Sequence, residues 1–280
     1  MNIPTCEHIK IARNLCGITV TLNRPQVRNA INGAMLNELL GVCTWISTQQ
    51  DIRALVLQGA DGHFCAGGDI ADMLAAAQAY ESGDQSAFYE LNLAYGKLLL
   101  TMARLPCTTI SLLEGSVMGG GLGLAAVSDI CLASETALLA MPEATLGLPP
   151  AQIAAFVAAR IGNAKARQMA LTAKKLTAQE ALDTGLVDQL VQDQVHLQQA
   201  LATQLRAINH CSPAALKTTK SLLIQQSPFS EANDANCEQM LARAAQAFSD
   251  AVTQGDGPEG TQAFMQKRRP KWIRDEEVTA

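Results

Sequence analysis

No run of eighteen or more apolar residues occurs in the sequence, so a membrane-spanning helix is not expected. There is no Cys-x-x-Cys pair, and the eight cysteines stand singly from Cys6 to Cys237. Isolated cysteines behave as small hydrophobes where thiols stay reduced, which makes a cytoplasmic location the expectation. No His/Cys cluster has ligand spacing, so no metal is expected. The segment MNIPTCEHIKIARN lacks a basic stretch followed by an apolar core and does not read as a secretory leader. The formal net charge is −5, and the basic residues are scattered apart from Lys267, Arg268 and Arg269. That balance points away from nucleic acid as a partner. Internal repeats and low-complexity linkers are also missing.

What is present is ordinary globular material, 48% hydrophobic and 17% charged over 280 residues, enough for a substantial core. Cys16–Arg24 alternates into Pro25 and reads as a strand running into a turn. Asn29–Thr48 has helical apolar spacing. The apolar runs Ile52–Ala60 and Thr108–Gly115 read as buried strands, with shorter ones at Ile130–Ala133 and around Ala137–Met141. After Pro150 the pattern turns almost wholly helical, with segments near Gln152–Ile161, Ala164–Thr172, Ala178–Thr184, Val195–His210, Pro213–Gln225 and Ser230–Val252. Strands alternating with helices give an α/β fold class.

Two glycine-rich turns carry the chemical signal. SVMGGGLGLAAVSDI, Ser116–Ile130, follows a strand and leads into an apolar helix. A Walker loop is excluded because no GK[ST] follows. A dinucleotide fingerprint stays open, since Gly121–Ala126 satisfies G-x-G-x-x-A and Glu143 stands about 20 residues on. Close helix–sheet packing is a third account of the glycines. The second turn, DGHFCAGGDIADM at Asp61–Met73, places Ala66, Gly67 and Gly68 at another strand-to-helix junction. Two such junctions in one sheet can aim two backbone N–H groups at one oxygen, the geometry of an oxyanion hole.

Taken together these residues resemble the crotonase (enoyl-CoA hydratase/isomerase) superfamily. The resemblance covers almost the whole chain through VTLNRPQVRNAIN, FCAGGDI, EGSVMGGGLGLAAVSDICLAS, MPEATLGLPP, RIGNAKARQMALTAKKLTAQEALDTGLVDQLV and EGTQAFMQKRRPKW, in that order. It implies a ClpP-like spiral of stacked ββα units, with an α/β core over 1–205 and a helical, trimer-forming region over 206–280. It also implies an acyl-CoA thioester substrate and a homotrimer or dimer of trimers. Coenzyme A would be part of the substrate, and no separate cofactor is expected. Position by position, the oxyanion donors would be Gly68 and Gly120. Ala66, Asp69 and Ile70 would line the adenine end of the CoA site. Gln26, Val27 and Arg28 would border the CoA, and Phe264 and Lys267 would lie near its nucleotide.

The resemblance is incomplete at one acid. Two-glutamate hydratases of the family flank a water with two carboxylates; Glu143 in MPEATLGL matches one, and the position of the other is Gly123. The glycine, with LGLPPAQIAAFVAARIG after Glu143, resembles the subgroup acting on β-branched, carboxylated enoyl-CoAs, the 3-methylglutaconyl- and isohexenylglutaconyl-CoA hydratases. The expectation is therefore hydration of such a thioester with Glu143 as the single acid/base. Open beside it are a Δ3-Δ2 enoyl-CoA isomerase using the same carboxylate, and a catalytically weak acyl-CoA-binding member of the fold.

Overall fold

The computed structural model describes residues 4–273. It opens with a hairpin in which β1 (Ile9–Asn14) runs antiparallel to β2 (Gly17–Leu22). Ile18, Val20 and Leu22 of β2 are buried, as its alternation requires. A single 3-10 turn at Pro25–Val27 follows, and α1 (Gly33–Ser47) begins later than the helical spacing from Asn29 suggests. The delay has a local cause. Asn32 caps α1 by accepting from the Met35 N–H at 2.9 Å, and Asn29 adopts a left-handed conformation with φ 58°. Its side-chain amide donates to the carbonyls of Ala60 and His63, an arrangement incompatible with a helical turn.

Beyond α1 come β3 (Ala54–Gly59), α2 (Ile70–Glu81), α3 (Ala87–Ala103) and β4 (Thr108–Leu113). The short β5 (Ser116–Met118) leads through the glycine run into α4 (Gly120–Ala126), then β6 (Ile130–Ser134) and β7 (Leu138–Ala140). The helical half contains α5 (Ala151–Ile161), α6 (Asn163–Thr172), the two-residue β8 (Leu176–Thr177), α7 (Ala178–Thr184), β9 (Gln189–Val191) and α8 (Gln194–Asn209). It closes with α9 (Pro213–Gln225), α10 (Asp234–Thr253) and α11 (Gly257–Met265).

Six strands form the main sheet in the order β1-β2-β3-β4-β6-β9, parallel from β2 onward, and β5, β7 and β8 form a second, smaller sheet. The central strands are covered on both faces, which is why they read as continuous apolar runs. Leu55 and Leu57 of β3 belong to the large core with α1, whereas Val56, Ile110 and Leu112 pack with Leu197, Leu201 and Leu205 of α8. Residue 205, the boundary suggested by the resemblance, falls inside α8. Residues 1–3 and 274–280 of the two expected regions lie outside the described residues. Among the described residues no helix is long and apolar enough to cross a membrane.

Candidate active site

The two glycine turns meet because of one stretch of strand-like pairing. Cys65 donates to the Ser116 carbonyl at 2.9 Å, and Met118 donates to the Cys65 carbonyl at 3.0 Å. The turn after β3 therefore runs parallel to β5, and Gly67–Gly68 arrive beside Gly119–Gly120. A Cβ built on Gly67 would stand 3.8 Å from the Gly120 nitrogen. On its other side this turn is held by the Ile31 N–H donating to the Gly67 carbonyl at 2.8 Å and the Asp69 N–H donating to the Ile31 carbonyl at 2.9 Å.

Each glycine of the triple has a different task. Gly119 takes φ 51° with ψ −117°, a conformation that suits a residue without Cβ. Gly121 packs so closely on the turn that a Cβ would lie 2.6 Å from the Cys65 carbonyl oxygen. Gly120 lines a cavity of about 250 Å³, as does Gly68. Neither of these two N–H groups has an intramolecular acceptor among the described residues.

Glu143 closes this arrangement. It starts the 3-10 turn Glu143–Leu146, which follows β7, the neighbour of β5 in the small sheet. Its Oε1 is 2.7 Å from the position a Cβ on Gly119 would take, and its buried Oε2 has no hydrogen-bond partner among the described residues. Burial pushes its carboxyl up to about 7, because the low-dielectric surroundings penalise the anion. A group with that poise can take or give a proton near neutral pH. A ribose-binding carboxylate stands about a nucleoside's length from its glycine turn. Glu143 instead lies against the turn, its Oε1 2.7 Å from a Cβ position on Gly119, which leaves no room for a ribose between them and disfavours the dinucleotide account.

Position 123 is closed. A Cβ on Gly123 would lie 2.7 Å from Ile153 Cγ2, 3.0 Å from the Tyr95 hydroxyl and 3.1 Å from Leu99 Cδ1. The Tyr95 hydroxyl donates to the Gly120 carbonyl. Tyr95 and Asn92, one turn apart on α3, both line the cavity, and Asn92 Oδ1 is buried without a partner among the described residues. Neither residue belongs to a motif in the sequence. Their signal was polar side chains at i, i+3 spacing on the inner face of an otherwise apolar helix.

The remaining predicted positions divide. Ala66, Asp69, Ile70 and Phe264 line the cavity, and α10 and α11 of the same chain supply part of its wall through Phe248, Phe264 and Met265. Asp69 also has structural duties, since it caps α2 by accepting from Ala71 and pairs with Arg24 at 2.6 Å. Both side chains are largely buried, so Arg24→Met leaves a carboxylate stranded. Chemical denaturation should show a loss of about 3–5 kcal/mol. Gln26, Val27 and Arg28 are exposed outside the cavity lining, although the Arg28 carbonyl accepts from the Ala66 N–H at 2.9 Å. Lys267 is likewise exposed, just past the end of α11, with φ 52°.

The family model described as enoyl-CoA hydratase/isomerase matches residues 13–275. The chain belongs to the enoyl-CoA hydratase/isomerase family. It is 31% identical over 269 residues to a probable enoyl-CoA hydratase, echA8, of Mycobacterium bovis, covering 96% of this chain and 98% of that one. Among solved structures, an enoyl-CoA hydratase/isomerase from Marinobacter aquaeolei is 42% identical with a TM-score of 0.76, covering 95% of this chain and 99% of that one. Pseudomonas aeruginosa AtuE is 43% identical with a TM-score of 0.75, covering 96% and 100%. The α/β architecture is thus the crotonase fold, and the cavity between its two glycine turns is the candidate active site of an enoyl-CoA hydratase/isomerase.

Proposed function

We propose that this enzyme hydrates an α,β-unsaturated acyl-CoA whose acyl group is β-branched, of the carboxylated 3-methylglutaconyl- or isohexenylglutaconyl-CoA kind. The chief support is the meeting of Gly68, Gly120 and Glu143 on one cavity. In this reading the two N–H groups hold the thioester oxygen as it becomes an enolate oxyanion, each worth about 3–4 kcal/mol. The Glu143 carboxylate takes a proton from water while the water oxygen bonds to Cβ. The π pair moves toward the carbonyl. Glu143, now neutral, returns that proton to Cα, and water has been added across the double bond. As the carboxylate begins the cycle, kcat/KM should rise with pH through about 7 and level off above it, which a pH–rate profile reads directly.

The acyl half of the substrate would lie among Met73, Leu91, Leu148 and Phe248, apolar walls that suit a branched chain. Among the described residues, none that lines the cavity is Lys or Arg. A distal carboxylate would therefore be met by neutral donors, Asn92 and Thr261 among them. Ala66, Asp69 and Ile70 would line the adenine end of the CoA, Gln26, Val27 and Arg28 would border it outside the cavity, and Phe264 and Lys267 would lie near its nucleotide. No cofactor beyond the CoA of the substrate enters this reading. A homotrimer or dimer of trimers belongs to it, and light scattering measures that.

A panel of CoA thioesters tests the substrate. The branched glutaconyl thioesters should exceed crotonyl-CoA in kcat/KM by tenfold or more, and equal rates would sink the branched-substrate assignment. The closed position 123 also favours a one-base Δ3-Δ2 isomerase. Such an enzyme would convert a 3-enoyl-CoA to the 2-enoyl isomer with no hydroxylated product.

A further inference from the structure

Tyr95 occupies the space from which a side chain at 123 would start. Its hydroxyl is 3.0 Å from the Cβ position of Gly123 and 3.2 Å from that of Gly120, and it lines the same cavity as Glu143. Burial, with Cys65 and Glu143 nearby, holds the phenol well above its ordinary value, so it remains protonated at neutral pH. Its one proton is committed to the Gly120 carbonyl. What remains on the phenolic oxygen is acceptor capacity.

A water attacking Cβ has two protons to place, and its lone pair must face carbon. Glu143 Oε2, buried and without a partner, accepts one. We propose that the Tyr95 hydroxyl oxygen accepts the other, making Tyr95 a catalytic residue that holds the attacking water in place of a second carboxylate. The proposal rests on the hydratase reading. In the step, the water oxygen bonds to Cβ and one water proton passes to Glu143. The second stays on the new hydroxyl group, hydrogen-bonded to Tyr95, which neither gains nor loses a proton. A neutral acceptor here also spares Glu143 a second negative charge beside it, which would raise its pKa further.

The test is Tyr95→Phe, which keeps the ring between Gly120 and Ile153. Two rates are compared with wild type. One is hydration of 3-methylglutaconyl-CoA or crotonyl-CoA, whichever wild type turns over faster. The other is exchange of the α-proton of butyryl-CoA in D2O, which needs the oxyanion donors and Glu143 but no water at Cβ. The expected result is a fall of 30-fold or more in hydration kcat, KM within about twofold, and exchange within about threefold. Equal falls in both rates would mean that Tyr95 only positions the Gly120 peptide, and would overturn the proposal. Unchanged hydration would overturn it as well. Wild-type protein that exchanges butyryl-CoA but hydrates neither thioester would remove the hydratase reading, and the water-holding role with it.

Discussion

Glu143→Gln should lower kcat by about a thousandfold while leaving KM nearly unchanged, the usual scale for losing a proton-transfer group. The amide matches the carboxyl in shape, so Gly119 and the cavity wall need not move. The same substitution should stabilise the protein in alkali. Burial raises the carboxyl in the folded state to about 7, above its value in the unfolded chain. The neutral form is therefore the one the fold accommodates, and its advantage is complete in acid below the unfolded pKa. It disappears as pH rises through about 7, where wild type must ionise a buried group and the glutamine variant need not. At pH 9 the variant should be more stable by on the order of 3–4 kcal/mol, and at pH 4 the two should converge. Melting curves across that range measure the crossover. Turnover that survived Glu143→Gln would overturn both readings, hydratase and isomerase, in which Glu143 moves the proton.

Gly119→Ala should be as damaging for a different reason. With φ 51° and ψ −117° the backbone there is hostile to any Cβ, and the methyl would sit 2.7 Å from Glu143 Oε1. Either the turn shifts, which displaces the Gly120 N–H, or the carboxylate moves. Losing one oxyanion donor alone costs 10²–10³-fold, so a fall in kcat/KM of about 10³ or more is expected. A stability loss of about 2 kcal/mol should accompany it. Gly68→Ala is the useful contrast. Its φ is not positive, and nothing lies within 4 Å of an added Cβ, so the melting temperature should stay near that of wild type. Catalysis within tenfold of wild type in Gly119→Ala would contradict the placement of the oxyanion donor at Gly120.

The parts legible in the sequence are those whose cause is local. β3 and β4 are continuous apolar runs because both faces are buried, and the glycine turns declare themselves by composition. β1 is hard to read from sequence because it is an edge strand with one face in water, carrying Lys10 and Arg13 on a short, weak alternation. The start of α1 is not legible in the sequence, since Asn29 is fixed by carbonyls from residues 60 and 63, far away in sequence. At the site, Glu143, Gly68 and Gly120 could be placed by motif. The packing account of the glycines also holds, though for Gly121 against Cys65. Tyr95 carries only the weak local signal of its i, i+3 pairing with Asn92. Its position follows from how α3 lies across α4 and α5, and only that contact shows that the space at 123 is already taken.

The wedge of Tyr95 and Ile153 over Gly123 constrains how this enzyme could change. Placing a glutamate at 123 by one substitution would drive its first carbon into Ile153 and the Tyr95 hydroxyl, so α4 or those side chains must shift before a second acid fits. The two-acid arrangement becomes reachable only after smaller side chains stand at 95 and 153. Those changes made first would open a void beside Glu143 and strip the Gly120 carbonyl of its donor. Either order of steps first breaks a contact that the present site uses, so single substitutions lead away from the single-acid arrangement only with difficulty.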